Sequence, residues 1–184
     1  AGLNHPNIVT IFDVIKRDNG GDIVMELVSG MTVDKSLEAG PFSLAQFLFV
    51  APQLLSALKA AHKHKILHCD IKPANIMMHR LKGGNFELKL IDFGLSPSAD
   101  KQEEQASKKL LGSIHFMAPE SMNSGELTEK SDLYSTGCIF YYLLTGKFPF
   151  EGDTTVQVMA AHMQGKFIPI QEHQPDLPTS LCAW

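Results

Sequence analysis

The chain has 184 residues, 44% of them hydrophobic, enough for one sizeable core or for one domain and part of another. Its formal net charge of -4 supplies no basic field, which argues against nucleic acid as a primary partner. Cys69, Cys138 and Cys182 lie far apart with no CxxC pair, which argues against a disulfide framework or a cysteine-based zinc site and fits a reducing, cytoplasmic setting.

The chain opens with Ala-Gly, and IVTIFDVIK at 8–16 and DIVMELV at 22–28 follow as β-branched runs. The intervening RDNGG carries Asn19-Gly20, a strong hairpin signal. Both strands are largely apolar, so a wider sheet with further strands outside this sequence is expected. From Ser43 to Lys65 apolar residues recur at helical spacing, with Ser43 as N-cap and His and Lys crowded at the C-terminal end, where the helix dipole favours cations. Pro52 inside that pattern predicts a kink or a break. Short strands are expected at 66–68, 75–79 and, after LKGGN, 86–91.

Residues 95–112, rich in Ser, Lys, Glu and Gln, read as a long exposed loop, within which KQEEQASKK at 101–109 is a solvated face. Helices are expected at 131–144, apolar almost all round, and at 154–164. The longest nearly uninterrupted apolar run, CIFYYLL at 138–144, falls far short of the ~20 residues that span a bilayer, so no membrane contact is expected from this segment. The chain ends at LCAW, just past Pro178, Thr179 and Ser180, which resemble a helix start. An excised piece, cut at both ends, is the expectation.

Two acids and an amide stand out. Asp70, Lys72 and Asn75 fall in a loop between short strands, and Asp92 ends a strand immediately before Phe93 and a glycine. Oxygen ligands suit a hard cation, and Mg²⁺ prefers one or two carboxylates plus phosphate oxygens. Asn75 and Asp92 could hold such a metal on a nucleotide, leaving Asp70 free to accept a proton and Lys72 to meet the charge that gathers on a transferring phosphoryl group.

HCDIKPAN at 68–75, DFG at 92–94, GSIHFMAPE at 112–120 and SDLYSTG at 131–137 resemble the catalytic loop, metal-binding loop, activation-segment end and anchoring helix of the eukaryotic-type protein kinases. Any one of these motifs alone is a weak signal, whereas all of them in this order are specific. A lysine two residues after the acid, with G-S-x-x-F-M-A-P-E, resembles the serine/threonine subclass.

The resemblance implies an α+β, protein-kinase-like fold. Residues 1–28 would be a remnant of the N-lobe, a β-hairpin ending in the hinge. Residues 29–184 would be a mainly helical C-lobe, incomplete at its C-terminus. It implies ATP and Mg²⁺ as cofactors and a protein substrate with a Ser/Thr acceptor.

By the same resemblance Asp70 takes the substrate proton, Lys72 stabilises the γ-phosphate, Asn75 and Asp92 bind Mg²⁺, and Ser113 braces the Asp–Lys pair. Met25 would be the gatekeeper, the Glu26 carbonyl and Val28 backbone the adenine partners, Thr32 a neighbour of the ribose and Met77 the floor. HPNIV at 5–9 would follow the regulatory helix. Asp132 would hold the catalytic-loop backbone, and Glu120 would pair with an arginine beyond Trp184.

This sequence also departs from the family. Cys69 stands where many relatives carry an arginine that pairs with a loop phosphate, so phosphorylation at Ser96, Ser98 or Ser107 is not expected to be the usual on-switch. Cys69 itself reads as a small, buried side chain rather than a redox centre. No glycine-rich phosphate loop, third-strand lysine or regulatory-helix glutamate is present, so the segment alone is expected to transfer phosphate very poorly.

A pseudokinase scaffold and a kinase-like small-molecule phosphotransferase are the alternatives. The intact Asp70, Asn75 and Asp92 argue against the first, and the APE-type segment and long activation loop against the second. His62, His64 and His68 read as helix-end and strand residues rather than a zinc site. FLF at 47–49 and the methionines 77–78 read as core.

Overall fold

A computed structural model describes residues 3–17, 20–81, 86–93, 113–123 and 125–182. Asn19 of the hairpin turn, residues 82–85 of LKGGN, and residues 94–112 with Gly94, Gly112, the three candidate phosphoserines and the KQEEQASKK stretch lie outside the described residues.

Two small antiparallel sheets carry the strands. Strands β1 (Ile11–Arg17) and β2 (Gly20–Met25) form a two-stranded sheet, in register from Asp13 opposite Val24 to Arg17 opposite Gly20, with a register shift before Ile11 meets Met25. It is shifted from the expected 8–16 and 22–28. Ile8 and Val9 are buried instead, because this segment runs alongside strand β5 (Phe86–Leu90): the Val9 amide donates to the Leu90 carbonyl at 3.0 Å and the Leu90 amide to the Asn7 carbonyl at 2.9 Å. The hairpin leaves apolar side chains open to solvent, Phe12 being 66% exposed.

The second sheet joins β3 (Met31–Thr32), β4 (Ile76–Arg80) and β5, all antiparallel. Just ahead of β3, Gly30 has φ +155°, and a Cβ there would come within 2.1 Å of the Met78 carbonyl oxygen. Only glycine lets the chain cross β4 this closely. The Ser29 carbonyl is then in reach of His79 Nδ1, which fastens the crossing from the other side.

Helix α1 (Val33–Leu37) leads to α2 (Leu44–Lys63), the central helix. As expected, Ser43 caps it, accepting the Gln46 amide at 3.3 Å while Gln46 Oε1 takes the Ser43 amide at 2.8 Å. Pro52 does not break it. The carbonyl that Pro52 cannot serve belongs to Leu48, which is itself 55% exposed and so open to water.

Leu48 and Phe49, 40% exposed, therefore correct the reading of FLF as core; only Phe47 points inward, meeting Phe140 edge-on at 5.1 Å. Met78 is buried and Met77 half-buried. By length and composition α2, with 20 residues, could cross a membrane, yet Leu54, Ala57, Leu58 and Ala61 are sealed in the core that it shares with β5 and the helix beginning at Glu129.

The strand expected at 66–68 is absent. Those residues are irregular because the Ile66 amide turns back to the Ala61 carbonyl at 3.0 Å and the His68 amide is claimed by a side chain, described below, rather than by a neighbouring strand. After a short helix α3 (Pro119–Met122), α4 (Glu129–Thr145) begins two residues earlier than expected, where the Thr128 hydroxyl accepts the Lys130 amide at 3.3 Å. It ends at Gly146, φ +67°, a left-handed stop. Helix α5 (Thr155–Gln164) matches its expected span, and short helices α6 (Ile170–His173) and α7 (Thr179–Cys182) close the described chain.

One histidine ties α5 to α4. His162 is 3% exposed, its Nδ1 lies 2.8 Å from the Tyr134 hydroxyl, and its Nε2 is a buried atom with no hydrogen-bond partner among the described residues. Burial, with a smaller push from His115, lowers its pKa to about 4. The unfolded chain binds that proton near pH 6.5 and the folded chain does not, so this contribution to stability is whole above pH 6.5 and fades as pH falls toward 4. Denaturant titrations between pH 7.5 and 4.5 should show stability falling with pH, with a shallower slope in His162→Gln, which keeps an acceptor for Tyr134 but cannot titrate. An identical slope would contradict this assignment.

Candidate active site

The loop between α2 and β4 is shaped by one buried acid. Asp132, 2% exposed in the first turns of α4, takes the His68 amide on Oδ2 at 3.0 Å and the Cys69 amide on Oδ1 at 2.9 Å. His62 Nε2, from the last turn of α2, lies 2.7 Å from the same Oδ2. A buried carboxylate is tolerable only with such partners. Here they bend the backbone so that Cys69 sits at φ +65°, a sparsely populated conformation for a residue with a side chain, held by its surroundings.

That bend corrects the reading of Cys69 as buried. Its amide points inward to Asp132 and its side chain is exposed. Partial burial and the neighbouring Asp132 charge both push its thiol pKa up, away from thiolate chemistry.

His68 folds back under the loop. Its Nδ1 accepts the Asp70 amide at 3.2 Å and its Nε2 donates to the Ile91 carbonyl at 2.9 Å, a pattern that requires the neutral ring. Burial keeps its pKa below the usual histidine value against the pull of the carboxylates of Asp132, Asp70 and Asp92. The three histidines of the α2 end thus point to separate partners, His64 Nδ1 to the Ala60 carbonyl at 2.9 Å, and share no ligand position.

Asp70, Lys72, Asn75 and Ser113 come together. Lys72 Nζ is 2.6 Å from Asp70 Oδ2 and donates to Ser113 Oγ at 3.1 Å, with Ser113 Oγ 3.5 Å from Asp70 Oδ1. Lys72 is buried, whereas the Asp70 side chain remains 40% exposed, so the lysine is a fixed charge and the acid faces the opening.

Asn75 ends a 3₁₀ turn, Pro73–Asn75, and its Nδ2 donates to the Asp70 carbonyl at 2.8 Å and to Asp70 Oδ2 at 3.2 Å. Both partners are acceptors, so the amide nitrogen must face them, and Oδ1 is the end left to meet a cation.

The backbone leading to Asp92 is tied to this cluster through Ile91. The Ile91 amide donates to the Asn75 carbonyl at 2.9 Å while its own carbonyl accepts from His68, so the residue before Asp92 is gripped by both flanks of the loop. Asp92 then turns at φ +62°, and the Phe93 ring lies 4.7 Å from that of His68. The donor set of Asn75 Oδ1 and a carboxylate fits Mg²⁺, which takes few protein oxygens and keeps positions for phosphate and water.

Two of the positions expected around a nucleotide, Thr32 and Met77, are neighbours. Thr32 pairs with Met77 across β3 and β4, so both side chains share one sheet face. Met25 ends β2 and is exposed, and the chain then leaves the ladder through Glu26, Leu27 and Val28. Among the described residues no hydrogen bond engages the Glu26 carbonyl or the Val28 main chain.

Glu120, expected to await a distant arginine, accepts the Ser131 hydroxyl at 2.6 Å. Two participants escaped the sequence reading. His62 was read only as a helix-end residue, although a histidine on an otherwise apolar helix face needs a buried partner. Lys89, alternating with Leu88 and Leu90, reaches Glu26, and its place in the apolar strand was the available signal.

The family model for the protein kinase domain matches residues 1–180. The chain is 36% identical over 182 residues to the serine/threonine-protein kinase PrkC of Bacillus subtilis, covering 98% of this chain and 28% of that protein. It is 34% identical over 182 residues to a probable serine/threonine-protein kinase PknB of Lactococcus lactis, covering 98% and 28%. With the serine/threonine-protein kinase PknB of Mycobacterium leprae it shares 32% identity over 189 residues, covering 100% and 30%. The chain therefore spans under a third of the length of these curated relatives.

Proposed function

The chain belongs to the protein kinase family, and from that premise we propose that the protein carrying it transfers the γ-phosphoryl group of ATP to a serine or threonine hydroxyl of a polypeptide. The observation that carries this reading is the Lys72 ammonium held at 2.6 Å from Asp70 and 3.1 Å from Ser113, a fixed positive charge beside an exposed acid.

In this reading Asp70 orients the acceptor hydroxyl and takes its proton. Lys72, kept in place by Ser113, meets the negative charge of the transferring group without having to reorganise. Asn75 and Asp92 would hold Mg²⁺, which when bound neutralises charge on the phosphate oxygens. Met25, the Glu26 carbonyl, Val28, Thr32 and Met77 would line the base and ribose end. His68 and Asp132 touch no reactant; they fix the backbone leading into Asp70.

Residues 1–28 act as the hairpin and hinge in this account and residues 29–184 as the helical lobe. The 184 residues alone are expected to transfer little, since they contain no glycine-rich loop to cover phosphate.

The test offers labelled ATP with Mg²⁺ to the protein as its host makes it, with a basic polypeptide in one arm and small alcohols in the other. Label on serine or threonine of the polypeptide is the expected result. Label confined to the alcohols would transfer the assignment to a small-molecule phosphotransferase, and nucleotide binding without any transfer to a scaffold.

A further inference from the structure

Glu26 serves the proposed nucleotide site through its main chain, yet its carboxylate is the better-anchored part of the residue. Oε1 accepts the Thr10 amide at 2.8 Å and Lys89 Nζ at 2.9 Å, while the Glu26 amide donates to the Thr10 carbonyl at 2.9 Å. Burial acts to raise the pKa of this carboxyl, but the bonds from Lys89 and Thr10 and the Lys89 charge outweigh it and hold the group below its ordinary value. It is an anion with a built receptor.

Lys89 reaches it because of strand register. Lys89 pairs with Met77, and Met77 pairs with Thr32, so the three side chains form a row on one face of the β3–β4–β5 sheet. Leu88 and Leu90, its neighbours along β5, point the other way and are buried. The row thus runs along the face that carries the proposed ribose and floor positions, and it ends on a cation that grips the hinge. Lys89 also lies three residues before Asp92, on the strand that Asn7 and Val9 bond at Leu90. One ion pair therefore connects the hinge to the strand leading into the metal-side acid.

We infer that Lys89 and the Glu26 carboxylate form a latch that positions the hinge main chain over the Met77 floor, setting affinity for the base end of ATP without entering the transfer step. The inference rests on the phosphotransfer reading above. Lys89 and Glu26 are positioning residues in this role, since the carboxylate and the ammonium meet each other rather than a reactant. With side chains 15% and 24% exposed, the pair is less screened than a surface ion pair.

The test is steady-state kinetics on the protein as its host makes it, with ATP and acceptor peptide varied separately, for wild type, Lys89→Met, Glu26→Gln and the double variant. Methionine keeps most of the aliphatic stem and removes the charge. Each single variant should raise KM for ATP about tenfold, leave kcat and the peptide KM within about twofold, and combine non-additively in the double variant.

Amide hydrogen exchange at Thr10 and Glu26 should quicken in Lys89→Met with the global unfolding midpoint unchanged. An unchanged KM for ATP, additive single effects, or a joint decline of kcat, both substrate affinities and the unfolding midpoint would each overturn the latch. Should wild type transfer no phosphate at all, the phosphotransfer reading is what fails. Exchange at Thr10 and Glu26 then decides the latch by itself, and unaltered exchange in Lys89→Met sinks it.

Discussion

Replacing Asp70 with asparagine is expected to lower phosphoryl transfer by ~10²- to 10⁴-fold, the range for loss of a general base, while leaving the fold intact. Asparagine has the same shape and retains an oxygen for Lys72 Nζ, now 2.6 Å away, and for Asn75 Nδ2, now 3.2 Å away. What it lacks is the basicity to take a proton. The Asp70 side chain is 40% exposed, and the buried Lys72 ammonium, which loses its counter-charge, keeps the asparagine oxygen and Ser113 Oγ as acceptors. Circular dichroism and unfolding midpoint should be close to wild type, and nucleotide affinity should change little, because Asp70 is not among the proposed metal ligands. A variant that retains more than about a tenth of wild-type kcat would remove Asp70 from the proton-accepting role.

Asp132→Ala should have the largest effect on stability, a loss of about 3–5 kcal/mol, as expected when a buried charge network loses its centre. The carboxylate accepts the His68 and Cys69 amides and lies 2.7 Å from His62 Nε2. Its removal strands two amides and an imidazole in a region with little access to water, and orphaned buried donors cost about 1–3 kcal/mol each. The strained turn at Cys69 would also lose the acceptor that holds it, so the loop should relax and Asp70 should drift from Lys72. Guanidinium titration measures the loss. A decrease below about 1 kcal/mol would show that the loop finds other partners and that Asp132 does not dictate its shape.

These two acids illustrate what the sequence could and could not disclose. The motif around Asp70 is local: Asp70, Lys72 and Asn75 lie within six residues, so a short loop must bring them together whatever surrounds it. Ser113 joins them from far along the chain, and the family resemblance, not any local pattern, supplied it. Helix α2 was readable from apolar periodicity and its capping Ser43, and α4 from residues apolar almost all round, whereas the hydroxyls of Thr128 and Thr154 that cap α4 and α5 came only with the structure.

Failures came where a distant side chain overrode local preference. ILH at 66–68 has strand propensity, but the Ala61 carbonyl takes the Ile66 amide and Asp132 takes the His68 amide, the donors that a partner strand would need. Ile8 and Val9 read as the start of a hairpin strand and instead run along Leu90. FLF at 47–49 reads as core because it is apolar, whereas helical geometry turns Leu48 and Phe49 outward when Phe47 points in. Lys89 is the subtler case: its alternation with leucines is visible, but its partner lies 63 residues away, across a register that only the folded sheet defines.

The central claim is that Asn75 and Asp92 meet on one metal-nucleotide while Asp70 stays free to receive a proton. A structure of the protein with Mg²⁺ and a non-hydrolysable ATP analogue tests it most directly. The account predicts Asn75 Oδ1 and an Asp92 carboxylate oxygen on the same ion at about 2.0–2.1 Å, with Asp70 outside the coordination sphere and turned toward the γ-phosphate. An ion held by Asp70, or carboxylates of Asp70 and Asp92 facing separate cavities, would contradict it.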